Sequence, residues 1–235
     1  MLKLTPILLA ALVGYAMFRF SAWRMGRELT ARSTVLAEPR LLALTERMAE
    51  VLEIPKITVH VYEQPVVNGL AAPDGRIFLT RGFLDKYRLG EVTAEELASV
   101  VAHELGHVAL GHSQRRMIDF SAQNAIRLAL GMILGRLIPF VGVWLADMLA
   151  SLLAARLSRQ AEFEADEYAA ALLTKAGIGT APQRRLLEKL DTMMGGGPRF
   201  AWLMSHPKTT DRVAAIAELE ARWGTGGAPL RPRQG

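Results

Sequence analysis

The chain has 235 residues, 51% of them hydrophobic, and a formal net charge of +5. It contains no cysteine, which excludes disulfides, thiolate metal sites and cysteine nucleophiles, so any bound metal must be held by His, Asp or Glu. The arginines flank apolar stretches and form no basic run interleaved with aromatic residues. This distribution favours membrane lipid as a partner and argues against nucleic acid.

Residues 1–27 are predicted to form an N-terminal membrane anchor. The residues from Leu4 to Phe18 carry no charge and lie between Lys3 and Arg19. A helix of this length is shorter than a bilayer core of about 30 Å, but flanking cationic and aromatic side chains can extend it to the interface. The alternative is a cleaved signal peptide, which would give an exported soluble protein. The arginines after the segment favour a single-pass anchor in the cell membrane with a cytoplasmic rather than a periplasmic domain.

Helices and short strands alternate between residues 35 and 112. Apolar residues at helical spacing predict a helix within 35–53, and alternating apolar residues at 57–61 predict a strand. Residues 66–85 predict two short strands around a Pro-Asp-Gly turn. The next helix begins with the capping-box spacing of Thr93 and Glu96. Its apolar stripe consists of Leu97, Val101, Leu105 and Val108.

The second half of the chain is predicted to be helical. Residues 128–155 are apolar but interrupted by charges, which predicts a re-entrant hairpin, an interfacial helix pair or core helices closing over a cleft. They belong to an insert of about 117–157. A long helix then ends near Gly177, another helix covers 209–223, and 224–235 is expected to be a disordered tail.

The stretch "VAHELGHVALGH" carries the strongest chemical signal in the chain. His103 and His107 are four residues apart, so on a helix their imidazoles lie one turn apart on the same face and can reach one zinc ion. Glu104 lies beside that metal and can take a proton from a water that the metal activates. The pattern therefore predicts two zinc ligands and a general base, although a chance polar helix face is the alternative.

A catalytic zinc site needs a third protein ligand and one open position. On a helix that continues past Gly111, His112 would lie nearly opposite His103, which predicts a structural role for it unless the helix breaks at Gly111. Glu162 and Asp166 of "QAEFEAD" share a helical face, so Glu162 can complete a His-His-Glu site while Asp166 accepts the free N–H of a ligand histidine. The alternative is a solvated acidic helix face, which is where we expect Glu164.

With HELGH, EFEAD and SHPKTTDR in this order, residues 35–223 resemble the HtpX and CAAX-prenyl-protease family of zinc metallopeptidases. The resemblance implies that Glu162 is the third zinc ligand and that Asp166 supports the site. It also implies that His206, and with it Arg212, stabilises the oxyanion beside the scissile carbonyl. From the residues alone, a helix cap and a surface charge explain this last pair equally well.

The stretch "NGLAAPDGRIFLT" is similar to the edge strand of that family, which pairs with an extended substrate. We therefore expect the strand near Ile77–Thr80 to bind the substrate backbone. The residues assigned to substrate binding are Asn68, Ile77 and Leu79.

Together these patterns predict a mostly helical α+β protein of zincin type with a small antiparallel or mixed sheet. It would bind Zn2+ and hydrolyse peptide bonds of protein or peptide substrates. By analogy with the family, it would act in envelope or membrane-protein quality control. The alternative is a zincin-fold chaperone or binding protein with little proteolytic turnover, against which the intact Glu104 argues.

Overall fold

A small mixed sheet packs against a group of helices. The computed structural model describes residues 5–72, 74–112, 130–138, 141–193 and 209–223. The strands are β1 (Ser33–Val35), β2 (Val59–Tyr62), β3 (Gly69–Ala71) and β4 (Ile77–Thr80). The helices are α1 (Thr5–Ala31), α2 (Pro39–Val51), α3 (Arg81–Arg88), α4 (Ala94–Ala109), α5 (Gly142–Lys175), α6 (Ala181–Met193) and α7 (Thr209–Trp223). The prediction of a mostly helical α+β chain with a small mixed sheet is confirmed.

The strands are arranged in the order β1-β2-β4-β3. β2 pairs parallel with β4, whereas β1 pairs antiparallel with β2 and β3 antiparallel with β4. The predicted alternation in β2 is confirmed, because Val59 and Val61 are buried while His60 and Tyr62 are partly exposed. The predicted pair of strands around a turn is also confirmed, as the hairpin of β3 and β4.

β4 is an interior strand, which corrects the prediction that the strand near Ile77–Thr80 pairs with substrate. β2 occupies one of its edges and β3 the other. The side chains of Ile77 and Leu79 are buried in the hydrophobic core. Neither the backbone nor these side chains can therefore reach an extended substrate, and within the described residues the open edge of the sheet on this side belongs to β3.

Helix α4 lies at the centre of the molecule. Its predicted capping box is present, since the Thr93 hydroxyl accepts a hydrogen bond from the Glu96 backbone and the Glu96 carboxylate accepts one from the Thr93 backbone. The predicted stripe is buried at Leu97 and Val101, but Val108 is exposed. The opposite face is buried as well, because α5 and α6 pack against it. The histidine face of α4 is therefore enclosed.

Helix α5 is the longest element and confirms the helix predicted to end near Gly177. Its last residue is Lys175, and Gly177 adopts a positive φ of 65° that ends the helix. Residues 130–137 are also helical. Many large apolar side chains of this region are exposed, which does not fit core helices closing over a cleft. They include Met132, Ile133, Leu137, Val143, Trp144 and Leu152.

Helix α1 covers most of the predicted anchor segment and continues to the sheet. Its end is docked there, because Leu29 packs with Ala72 and Phe78, and the Arg76 guanidinium donates a hydrogen bond to the Thr30 hydroxyl at 3.0 Å. Among the described residues, no helix combines the length and the apolarity needed to cross a membrane. The predicted tail at 224–235 lies outside the described residues.

Candidate metal centre

Three side chains from two helices converge on one point inside the protein. The Nε2 atoms of His103 and His107 are 3.1 Å apart. Oε2 of Glu162 lies 3.5 Å from His103 Nε2, and Oε1 of Glu162 lies 3.5 Å from His107 Nε2. Ligands at 2.0–2.1 Å from a tetrahedral zinc ion are separated by about 3.3 Å, so the three residues fit a zinc ion closely. They form the candidate metal cluster found among the described residues.

The local structure of α4 and α5 explains why these side chains meet. His103 and His107 occupy successive turns of α4, as their spacing predicts, and Glu162 projects from the facing side of α5. The two helices approach very closely at Gly106. A β-carbon at this position would lie 3.0 Å from the carbonyl oxygen of Ala165, so a residue with a side chain would force the helices apart.

His103 is held by a buried carboxylate, as predicted for Asp166. Its Nδ1 donates to Asp166 Oδ1 at 2.9 Å, which leaves Nε2 directed at the metal position. The Arg212 guanidinium binds both oxygens of Asp166, with Nε donating to Oδ2 at 2.5 Å and Nη2 to Oδ1 at 2.8 Å. Gln183 also donates to Asp166 Oδ1, at 3.3 Å. Asp166 is thereby fixed on three sides.

The electrostatics of this group favour charged forms. Burial alone would lower the pKa of His103, but its hydrogen bonds to Asp166 and Glu162 outweigh burial and raise the pKa to about 9. Burial alone would raise the pKa of Asp166, yet the adjacent Arg212 holds it far below its usual range. In the metal-free protein this raised pKa favours the doubly protonated form of His103, in which Nε2 faces Glu162 at 3.5 Å.

His107 is held from the other side of the site. Its Nδ1 lies 2.7 Å from Nδ1 of His112, and Nε2 of His112 lies 3.1 Å from Oε2 of Glu164. The structural role predicted for His112 agrees with this geometry, but the predicted reason for it does not. Helix α4 ends at Ala109 and does not continue. Glu164, which was expected to be a solvated surface residue, is bonded to His112 and is only partly exposed.

Glu104 is buried next to the candidate metal ligands. It follows His103 directly on α4, and its side chain is buried beside the metal ligands. Within a site of low dielectric constant, such a carboxylate interacts strongly with a proton on the reacting water.

The sequence comparisons agree with this geometry. The sequence profile of Peptidase family M48 matches residues 36–220. The chain belongs to peptidase family M48. The resemblance to HtpX-like metallopeptidases is therefore confirmed, and with it the prediction of a zinc-dependent metalloendopeptidase.

Individual M48 relatives are distant but match most of the chain. Metalloprotease YcaL of Escherichia coli (strain K12) is 29% identical over 193 residues, which cover 82% of this chain and 73% of the relative. Metalloprotease LoiP of the same organism is 28% identical, with 76% and 69% covered. Protease HtpX of Nitrosococcus oceani is 28% identical, with 88% and 80% covered.

The structure gives Arg212 a different position from the one that the resemblance implied. Its side chain is 1% exposed, it binds both oxygens of Asp166, and its Nη1 lies 3.6 Å from Glu162. It is therefore buried against Asp166 and Glu162. In this position Arg212 can orient Asp166, and its implied role at the oxyanion stays a prediction. His206 lies outside the described residues, so its predicted role remains untested.

The substrate-binding residues expected for an M48 peptidase separate into two groups. Asn68 immediately precedes β3, the strand with the open edge, whereas Ile77 and Leu79 lie on the interior strand β4. Thr80 N–H donates to Asn68 O at 3.0 Å and Ala72 N–H to Arg76 O at 2.8 Å. In an antiparallel ladder such pairs alternate, so the peptide groups of residues 69 and 71 face the outer edge.

Three contributors to the M48 site were missed from the sequence. Gly106 has a usable signal, because a glycine inside an amphipathic helix marks a close approach of another element. The contact of His112 with His107 could have been found from Gly111, which has a positive φ of 66° and ends the helical periodicity. Gln183 has no signal in the sequence, since a single glutamine in a helix is ordinary.

Proposed function

We propose that this M48 peptidase is an endopeptidase in which His103, His107 and Glu162 hold zinc and Glu104 is the general base. The observation that carries the proposal is the convergence of the three residues: the two Nε2 atoms are 3.1 Å apart and each lies 3.5 Å from one oxygen of the Glu162 carboxylate, close to the separation of about 3.3 Å between ligands of a tetrahedral zinc ion. The residues fit the metal chemically as well, because two imidazoles and a carboxylate are a common catalytic zinc set.

The residues around the metal have separate tasks. When bound, zinc supplies Lewis acidity toward the attacking water and the scissile carbonyl. Glu104 takes the proton from the attacking water and delivers it to the leaving amine. Asp166 accepts the Nδ1 proton of His103 and so fixes the tautomer whose Nε2 has a free electron pair. Arg212 keeps Asp166 ionised and in place for this task.

Substrate binds in extended form along the outer edge of β3. The peptide groups of Gly69 and Ala71 pair with the substrate backbone, as added strands do in other β-edge complexes. Asn68 supports this placement: in the described part of the chain its buried side-chain oxygen has no hydrogen-bond partner, so it can accept one from the substrate. By family resemblance, His206 stabilises the oxyanion.

A membrane-associated role in protein quality control is the finer part of the proposal. The peptidase domain corresponds to residues 35–223, with the apolar insert at about 117–157, and residues 1–27 attach it to a membrane. Exposed apolar and aromatic side chains on α1 and on the insert support this arrangement. They include Leu12, Phe20, Trp23, Leu137 and Trp144. Flotation of the full chain with anionic vesicles tests it, and loss of flotation is expected in a variant of α1 that carries Leu12→Glu, Phe20→Glu and Trp23→Glu.

Cleavage of casein by the purified full chain tests the proposed activity. Cleavage is expected with zinc, is expected to stop on chelation and to return when zinc is added back. Glu104→Gln is expected to retain zinc but to lose about 10²- to 10⁴-fold in kcat. Glu167→Gln, an exposed glutamate on α5, is the matched control. Zinc binding without any cleavage by the wild type would contradict the proposal and favour a zincin-fold binding protein.

A further inference from the structure

We propose that His112 and Glu164 are positioning residues for His107: they fix its metal-binding tautomer and thereby set the zinc affinity of the site. The inference rests on the proposed ligand set, and it concerns residues outside that set. It starts from a chain of hydrogen bonds that runs from the metal position through His107 and His112 to the protein surface.

The geometry of this chain is continuous. His107 directs Nε2 at the metal position, and its Nδ1 lies 2.7 Å from His112 Nδ1. Nε2 of His112 lies 3.1 Å from Oε2 of Glu164. The second oxygen of Glu164 accepts a hydrogen bond from Gln160 Nε2 at 2.9 Å. His112 is buried, whereas the Glu164 side chain is 32% exposed, so the chain links a metal ligand to solvent.

Only one arrangement of protons is compatible with zinc binding and an ionised Glu164. His107 Nε2 must be free of a proton to bind metal, so its Nδ1 carries the proton and donates to His112 Nδ1. His112 then carries its own proton on Nε2, where it donates to the Glu164 carboxylate. In the reverse direction His107 would be protonated on Nε2 and could not bind the metal. Through His112, the Glu164 carboxylate at the surface thus selects the metal-binding tautomer of His107.

The backbone places His112 for this purpose. Helix α4 ends at Ala109, and Gly111 adopts a φ of +66°, a conformation that residues with a β-carbon adopt at a cost. The chain therefore turns back, and the His112 ring meets the edge of the His107 ring with their centroids 4.9 Å apart. His112 faces the Nδ1 side of His107, away from the metal, so it is not a fourth ligand.

The two ligand histidines are consequently supported in different ways. His103 donates directly to Asp166, a buried carboxylate held by Arg212. His107 donates to a neutral imidazole, and its carboxylate lies one residue further out. We expect the support of His107 to be the weaker of the two, so that changes at His112 and Glu164 alter zinc affinity without abolishing the site.

Zinc dissociation constants of the purified full chain test the inference, measured by competition with a chromophoric chelator. His112→Phe keeps a ring but removes the acceptor, and is expected to weaken zinc binding about 10- to 100-fold. In His112→Asn the amide oxygen can accept at the Nδ1 position, so most of the affinity should return. Glu164→Gln should weaken binding by a smaller factor, and the control Glu167→Gln should leave it unchanged.

The absorption spectrum of the cobalt-substituted protein gives a second readout that a purely structural role would not move. His112→Phe is expected to shift the d–d bands, and His112→Asn to restore them. Wild-type affinity and spectrum in His112→Phe would overturn the inference. So would complete loss of metal in His112→Asn, equal to the loss in Glu162→Ala, because His112 would then be a ligand.

Two controls make the zinc affinities of these variants interpretable. If His112→Phe does not fold, as judged by circular dichroism of the metal-free protein, Glu164→Gln decides the question, since it changes one partly exposed side chain. Unchanged affinity in Glu164→Gln would then overturn the inference. Failure of the proposed function would look different: the wild type would bind zinc and fail to cleave casein, while the order of affinities among the variants would stand.

Discussion

Gly106 of α4 lies directly against Ala165 of α5, and this contact determines where the two ligand helices cross. A β-carbon on Gly106 would lie 3.0 Å from the Ala165 carbonyl oxygen and 3.1 Å from its α-carbon. Gly106 directly precedes His107 on α4, and Ala165 follows Glu162 by three residues on α5. Small residues at the crossing thus allow two histidines and a carboxylate on separate helices to approach within hydrogen-bond distance.

Gly106→Ala is expected to weaken zinc binding at least about 10-fold, because small displacements of a supporting element are strongly felt at a metal site. Overpacking by the added methyl group should lower the free energy of unfolding by about 1–3 kcal/mol. The higher helix propensity of alanine should offset about 1 kcal/mol of this loss. Zinc titration and thermal melts measure the two effects. Gly131→Ala is the matched control, since a β-carbon there meets open space. Equal zinc affinity in both variants would contradict the role assigned to Gly106.

The sequence predicted the elements of the fold well where a pattern is local. The capping box of Thr93 and Glu96, the alternation in β2 and the end of α5 at Gly177 each depend on neighbouring residues, and the ligands His103 and His107 follow from helix periodicity. The prediction of Glu162 as a ligand required a second assumption, that α5 faces α4. The presence of EFEAD together with HELGH in one sequence supported that assumption.

The errors concern relationships between distant segments. Ile77 and Leu79 have the alternation of any half-buried strand, and nothing in that pattern tells which strand lies at the edge of the sheet. His112 was placed by continuing the helical period past Gly111, where the backbone leaves the helix. Arg212 has the charge of a surface residue, and its burial depends on Asp166 lying opposite it in the fold.

Glu162→Ala should remove zinc from the site, because only two imidazoles remain as ligands. Glu104→Gln should retain one zinc per chain, since the general base lies beside the metal and does not bind it. Metal analysis of both proteins after dialysis checks the difference, with Glu167→Gln as a carboxylate control on the same helix. Retention of a full zinc complement by Glu162→Ala would show that the ligand set is wrong.

The variants Asp166→Asn and Arg212→Lys distinguish the effect of the charges around His103 from the effect of the hydrogen bonds that orient it. Asp166→Asn loses the carboxylate that accepts from His103, and we expect metal affinity or activity to fall about 10- to 100-fold. Arg212→Lys keeps the charge but loses the two parallel hydrogen bonds to Asp166, so a smaller decrease is expected. The measurements are zinc affinity and kcat/KM on casein. A purely catalytic role of Arg212 would instead lower kcat and leave zinc affinity at the wild-type value.

Proline substitution in β3 tests the substrate-binding edge. Ala71→Pro removes an N–H that faces the outer edge, so the sheet should persist while kcat/KM falls at least about fivefold, the equivalent of one hydrogen bond. Leu70→Pro removes an N–H that faces β4 and should instead destabilise the fold. Casein kinetics and thermal melts of both variants distinguish the two effects. Normal kinetics in a folded Ala71→Pro variant would place the substrate elsewhere.

The stability of the metal-free protein should fall as pH rises above neutrality. The pKa of His103 is raised from 6.5 to about 9 in the folded state, so its contribution is fully present below pH 6.5 and is lost as pH rises to 9. Asp166 has a lowered pKa, so its contribution is present above 3.8 and disappears in acid. Urea unfolding in chelator between pH 5 and pH 9 measures the slope. In the Asp166→Asn variant, the free energy of unfolding should change less with pH.

Bound zinc should reverse this dependence of protein stability on pH. The extra proton on His103 lies on Nε2, between the imidazole and Glu162, which is the position that the metal would take. Proton and metal therefore compete for one electron pair, and the stabilisation that zinc provides should grow as pH rises toward 9. Unfolding at fixed free zinc over the same pH range checks the sign. If zinc stabilised the protein equally at pH 6 and pH 9, His103 would not be a ligand through Nε2, and the geometry of the site would have to be assigned anew.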